Sequence, residues 1–139
     1  MESRSPTCAI LADRHSELAE GIRDLLETTF QTVYIVADTQ SLQEGAQHLP
    51  PAVIILDTSL VGGGLKNLLQ SLRELSPGSR VIALTLHDQS PVALTALASG
   101  ADGVVLKRCL ASDFNDAVDA VLRGETFVSP DFGLAKSLL

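Results

Sequence analysis

Four polar residues each stand at the end of a short apolar run. Asp13 follows the run 8–12, Asp57 follows 53–56, Thr85 follows 81–84 and Lys107 follows 104–106. If these runs are parallel strands of one sheet, all four residues lie on its C-terminal edge, where open α/β sheets place their ligands. Two acids, a hydroxyl and an ammonium are the inventory for phosphorylating a carboxylate. Beside Asp13 stands Arg14, whose guanidinium offers donors only and cannot ligate a cation.

The elements that must position these residues can be read from the pattern of apolar residues. The runs 8–12, 33–37, 53–56, 81–84 and 104–106 are continuously apolar rather than alternating, as in strands covered on both faces. Leu18, Ile22, Leu25 and Leu26 share one face of a helix that Ser16 is placed to cap. Ser41 and Glu44 form a capping-box pattern ahead of a short helix stopped by Pro50 and Pro51. Leu65, Leu68, Leu69, Leu72 and Leu75 make a third stripe, closed by Ser76, Pro77 and Gly78. Ser90 and Pro91 open a fourth helix as cap and first-turn proline, and Gly100 ends it. Phe114, Ala117, Val118, Val121 and Leu122 form the fifth, ended by Gly124. Five strands alternating with five helices describe one doubly wound α/β domain, whose topology right-handed crossovers restrict to a few choices. In the tail, Ser129 and Pro130 are placed to start one more helix through Phe132 toward Leu139, the beginning of a connector.

A chain of 139 residues is one domain by size and can bury a real core. With 10 basic and 17 acidic residues the net charge is −7, which argues against this segment gripping a nucleic-acid backbone by itself. Cys8 and Cys109 lie far apart without metal-ligand spacing, so two free thiols in a reducing cytoplasm are expected. The first apolar run is too short to span a bilayer or act as a signal core, so a cytoplasmic location without membrane contact is expected. The loop after that run lacks a glycine-rich phosphate cradle, which argues against flavin or dinucleotide. Asp13-x-His15 is similar to the start of a cobalamin-binding motif, but Leu18 stands where glycine is needed. Gly62, Gly63 and Gly64 read as a flexible loop over the cleft, and His15 and His87 as solvated loop histidines.

The alternating pattern with Asp13, Asp57, Thr85 and Lys107 at its strand ends resembles the receiver domain of two-component response regulators, over roughly 7–124. The wording LADRHSELAEGIRDLL, SLVGGGLKNLLQSLRELSPGSRVIALTLHD and SGADGVVLKR is similar to the NarL/FixJ (LuxR-type) members. The stretch RGETFVSPDFGLAKSLL resembles the segment before a linker to a helix-turn-helix output domain. The resemblance implies a flavodoxin-like, five-stranded parallel sheet of order 2-1-3-4-5 with helices on both faces. It implies a receiver domain over 1–124, with 125–139 starting a connector. Asp57 would be the phosphoacceptor, phosphorylated by a sensor histidine kinase, with Thr85 and Lys107 stabilising the phosphoryl group. The domain would be a signalling module rather than an enzyme, at most dephosphorylating itself slowly. A homodimer and transcriptional control through an output domain that binds DNA are further implications.

The same resemblance implies Mg²⁺, held by Asp13, Asp57 and the backbone carbonyl of Ser59. Receivers place two adjacent acids after the first strand, and here Arg14 replaces the second. Mg²⁺ demands octahedral oxygen coordination, so this loss should weaken it. Two outcomes are open: Arg14 swings out and leaves Asp13 and Asp57 a weaker Mg²⁺, or it salt-bridges Asp57 and replaces the metal. The second would make an atypical interaction or dimerisation module that works without Mg²⁺-dependent phosphorylation. Arg108 stands after Lys107 where receivers often have proline, and Val104 stands where many carry a switch aromatic.

Overall fold

The computed structural model describes residues 7–86 and 90–132. A six-stranded parallel sheet of order β2-β1-β3-β4-β5-β6 forms its centre. The strands are β1 (Cys8–Ala12), β2 (Thr32–Val36), β3 (Val53–Asp57), β4 (Arg80–Thr85), β5 (Gly103–Leu106) and β6 (Phe127–Val128). Helices α1 (Ser16–Leu26), α2 (Thr39–His48), α3 (Leu65–Leu75), α4 (Ser90–Ala98) and α5 (Leu110–Leu122) fill the crossovers. No helix among the described residues is long and apolar enough to cross a membrane.

The continuous apolar runs arise because the central strands are covered twice. Alternate residues of β1, β3, β4 and β5 face opposite layers. Ile10, Ala12, Ile54, Leu56, Val104 and Leu106 pack with Leu42, Leu68, Leu69 and Leu72 from α2 and α3. Ala9, Leu11, Val53, Ile55, Ile82, Leu84 and Val105 pack with Ile22 and Leu26 of α1 and with Phe114, Val118 and Val121 of α5. Both layers are aliphatic apart from a few phenylalanines, so strand position is fixed by shape-filling contacts on two sides at once.

Several expectations need correction. The sheet has six strands rather than five. Phe127 and Val128 pair with Gly103 and Val104, inside the tail that was expected to be connector. Ser129, nearly fully buried, accepts the Leu106 N–H through its hydroxyl at 3.0 Å and donates its own N–H to the Val104 carbonyl. It therefore continues the ladder past the end of β6 instead of capping a long helix. The 3₁₀ turn Pro130–Phe132 follows, and the rest of the expected tail helix lies outside the described residues.

The second strand, expected to be covered twice, is the edge of the sheet. Thr32, Tyr34 and Ile35 are exposed there. Helix α2 is capped by Asp38, whose carboxylate accepts the Ser41 N–H at 2.7 Å, so the cap lies three residues ahead of the Ser41–Glu44 pattern. His15, rather than Ser16, occupies the N-cap position of α1. Helix α4 begins at Ser90 with Pro91 in its first turn, and the residue before it lies outside the described residues, as does His87. Cys8 and Cys109 are free thiols, and burial pushes the Cys8 thiol up.

Gly100 closes α4 at φ +119°, a backbone conformation that L side chains resist. A Cβ there would meet nothing closer than 3.9 Å, so the cost of a side chain is conformational alone. Gly100→Ala is expected to destabilise the domain by about 1–2 kcal/mol. Thermal unfolding checks this; an unchanged melting temperature would show that residue 100 relaxes to negative φ.

Candidate functional site

Register brings the strand ends together. Ala12 pairs with Leu56, so Asp13 and Asp57 leave adjacent strands side by side. Thr85 pairs with Leu106, so Lys107 begins one residue beyond it. The structure places all four residues on the C-terminal edge. Asp13, Asp57 and Thr85 are almost fully buried, at 2%, 1% and 1% exposure.

Both acids stop their strands in the same way. The Asp13 Oδ1 accepts the His15 N–H at 2.8 Å, and the Asp57 Oδ1 accepts the Ser59 N–H at 3.0 Å. Each is an Asx turn, in which a strand-end carboxylate satisfies the amide two residues on and turns the chain. The Ser59 hydroxyl adds a second donor to Asp57 Oδ1, also at 3.0 Å. The remaining oxygen, Oδ2, accepts from Lys107 Nζ at 2.6 Å. That ion pair is well shielded, with the lysine side chain only 10% exposed.

The two carboxyls are driven apart electrostatically. Burial pushes Asp57 up, but the Lys107 ammonium and the two Ser59 donors outweigh it, and the group lies below the usual carboxylate range. Asp13 is held above that range, first by burial and then by the neighbouring Asp57 charge. Its Oδ2 is buried and has no hydrogen-bond partner among the described residues. A buried carboxylate oxygen without a donor is costly unless a cation or a proton is brought to it.

Arg14 does not pair with Asp57. Its Nη2 donates to the Ser59 backbone carbonyl at 3.1 Å, an arrangement that neither outcome read from sequence included. This is the carbonyl expected to face Mg²⁺. His15, expected to be solvated, is 62% exposed, yet its Nδ1 stands 3.4 Å from Asp13 Oδ1 and 3.7 Å from Asp57 Oδ2. The Ser59 hydroxyl was also missed: the sequence reading used only that residue's carbonyl. In both cases the available signal was the i+2 position after a strand-end aspartate.

A cavity of about 290 Å³ opens beside Asp57, lined by Thr58, Ser59, Gly62, Leu65, Thr85 and Leu86. A larger groove, about 590 Å³, lies at the opposite sheet edge around Cys8, Pro51 and Ser79 and holds none of the four strand-end residues. Val104 is fully buried in the core layer beneath the site, so no aromatic stands at that position.

Comparison with known proteins shows the family and the fold. Residues 9–119 match the response regulator receiver domain family. The nitrate/nitrite response regulator protein NarL of Escherichia coli (strain K12) is 28% identical over 132 residues, covering 93% of this chain and 61% of NarL. Among solved structures, a LuxR-family two-component response regulator from Aurantimonas sp. SI85-9A1 superposes with a TM-score of 0.82 at 27% identity, covering 94% of each chain. The isolated REC domain of RcsB from Salmonella enterica serovar Typhimurium, in the apo form, gives 0.80 at 26% identity, covering 94% of this chain and 98% of that one. The chain thus spans less than two thirds of the NarL relative and nearly all of the isolated RcsB domain. With its strand-end acids, lysine and threonine on one sheet edge, the chain belongs to the response regulator receiver domain family and is a receiver of the NarL (LuxR) type.

Proposed function

We propose that Asp57 is the phosphoacceptor of this receiver and takes its phosphoryl group from the phosphohistidine of a sensor kinase. The observation that carries the reading is the Asp57 carboxylate itself. It is held ionised by Lys107 and Ser59 and borders a cavity large enough for a phosphoryl group, with Thr85 on its wall. A carboxylate oxygen attacks phosphorus, an O–P bond forms as the P–N bond breaks, and the donor imidazole leaves. Lys107 Nζ then exchanges a carboxylate oxygen for a phosphoryl oxygen, and the Thr85 hydroxyl donates to another. The acyl phosphate adds charge to a buried edge, and the resulting shift of the surrounding loops and helices would be the output signal.

The orphaned Asp13 Oδ2 and the ionised Asp57 suit a divalent cation. Asp13, Asp57 and the Ser59 carbonyl would hold Mg²⁺, once Arg14 releases that carbonyl. When bound, the ion would neutralise charge between carboxylate and phosphoryl group. The role is signalling rather than turnover of a substrate, with self-dephosphorylation slow. We extend the reading to a cytoplasmic, NarL-like regulator. In it the receiver, whose sheet runs on through β6, would control a DNA-binding output domain, with dimer formation as the intermediate event.

Intact mass after incubation with acetyl phosphate, with and without Mg²⁺, tests the proposal. A single phosphoryl adduct that requires Asp57 and is absent from Asp57→Ala is expected. No adduct under either condition would sink the phosphoacceptor reading and leave a module that works without phosphorylation.

A further inference from the structure

Strand order leaves one long edge of the sheet open. β2 stands outermost and pairs with β1 alone. The Thr32 N–H donates to the Thr7 carbonyl, and the Val36 carbonyl accepts the Asp13 N–H. Backbone direction alternates along a strand, so Thr32, Tyr34 and Val36 turn their amides and carbonyls toward β1. Val33 and Ile35 turn theirs outward, where no strand among the described residues meets them. The opposite edge differs: β6 is two residues long, and the 3₁₀ turn Pro130–Phe132 follows it closely.

Natural sheets guard such an edge with lysine, proline, a bulge or a very short strand. β2 has none of these. It reads Thr-Val-Tyr-Ile-Val in unbroken register with β1, all residue types that suit a paired strand. Residues 28–37 carry no charge, in a chain with 10 basic and 17 acidic residues. The edge is also complementary to itself. Two antiparallel copies of β2, related by a two-fold axis at Tyr34, set Val33 opposite the partner's Ile35 and Ile35 opposite the partner's Val33. These are the residues whose backbone faces outward, so each pair exchanges both of its N–H···O bonds. This register alone satisfies both outward residues of each copy with residues of β2. It also sets Tyr34 opposite the partner's Tyr34, and aromatic and β-branched cross-strand pairs of this kind are favourable.

We propose that the β2 edge binds a second copy of this chain, by antiparallel β2–β2 pairing centred on Tyr34, giving one continuous sheet across two domains. β1 and β3 separate this edge from β4 and β5, so the pairing does not rest on the phosphoacceptor reading. Two five-residue strands bury less than a standard interface of about 1,600 Å², so the dimer is reversible and depends on concentration. A net charge of −7 on each copy opposes association, while the uncharged strands supply the attraction. Salt screens the repulsion, so the dimer strengthens as ionic strength rises, the reverse of an ion-paired contact.

Sedimentation equilibrium of the 139-residue chain at low and high salt tests this, in the wild type and in Tyr34→Lys. No phosphoryl donor is present, which keeps the measurement separate from any dimer that phosphorylation drives. Two lysines set directly opposite each other should weaken the dimer by about tenfold or more. Tyr34 is exposed, and circular dichroism checks that the variant is folded. Cross-linking under mild oxidation reads the register independently. Tyr34→Cys should give a homodimer linked through residue 34, since opposed residues at such a site have Cα atoms about 4.5 Å apart. Thr32→Cys, which would face the partner's Val36, should not link to its own copy, and peptide mapping distinguishes these links from Cys8 and Cys109. A chain that stays monomeric up to about 1 mM overturns the proposal and leaves the edge to a strand of a different protein. A dimer that neither Tyr34→Lys nor salt alters, or that links through residue 32 as readily as through 34, overturns it as well.

Discussion

Arg14→Asp should tighten Mg²⁺ binding by about tenfold. The substitution exchanges a positive for a negative charge at the mouth of the cleft and frees the Ser59 carbonyl from its 3.1 Å hydrogen bond. In a water-like dielectric, one unit charge acting on a doubly charged ion about 5 Å away contributes about 1.7 kcal/mol, roughly halved by screening at physiological salt. A change of two units then corresponds to about 1.8 kcal/mol, or somewhat more than tenfold in a dissociation constant. Because Arg14 is exposed, the gain should shrink as ionic strength rises. Calorimetric titration at two salt concentrations reads this directly, and acetyl phosphate labelling at sub-saturating Mg²⁺ should accelerate in parallel. An unchanged affinity would mean that Arg14 neither blocks nor repels the ion, and the weakened-site argument would fail.

Lys107→Met should destabilise the domain by on the order of 3 kcal/mol at neutral pH. The ammonium is the cation that directly contacts the buried Asp57, at 2.6 Å, and Asp13 lies beside the pair. Removing it leaves two buried carboxyls held, among the described residues, by the Ser59 donors on Asp57, the His15 amide on Asp13 and a peripheral imidazole. In the wild type Asp57 is held below its ordinary value of 3.8. Its contribution is therefore present above that value and is lost as pH falls through the lower, folded value. In the variant, burial and the Asp13 charge are opposed only by the Ser59 donors, so the folded value is expected to rise past the ordinary one. The variant should then gain stability as pH falls from neutral toward the acid range, where the wild type loses it. Urea unfolding across pH measures both slopes. A difference between the two proteins that stays constant with pH would show that Lys107 stabilises through packing of its stem rather than through Asp57.

Much of this molecule can be read from its sequence. The unbroken apolar runs ending at Ala12, Leu56, Leu84 and Leu106 identify strands buried on both faces, because only a parallel sheet covered by helices needs apolar residues at consecutive positions. The polar residue after each run must then fall on one edge, which makes Asp13, Asp57, Thr85 and Lys107 a constellation before any coordinates exist. Helix stripes such as Leu65–Leu68–Leu69–Leu72 are equally legible, since a 3.6-residue period leaves few alternatives.

Tertiary structure decided what depends on distances between segments remote in sequence. Phe127 and Val128 are too short a run to announce a strand, and they became one because β5 offered an unpaired edge and Ser129 could extend it. The exposure of Tyr34 and Ile35 follows from β2 being outermost, a property of strand order rather than of local pattern. Arg14 was readable as a cation out of place, but its partner was not, because the Ser59 carbonyl is 45 residues away in sequence. His15 reads as an exposed loop residue by every local criterion. Only the Ala12–Leu56 register, which sets β1 and β3 side by side, brings its imidazole within reach of two carboxylates from different strands. Periodicity fixes which face a residue occupies; the few ångströms that make a ligand set come from register and turn geometry, which one sequence does not encode locally.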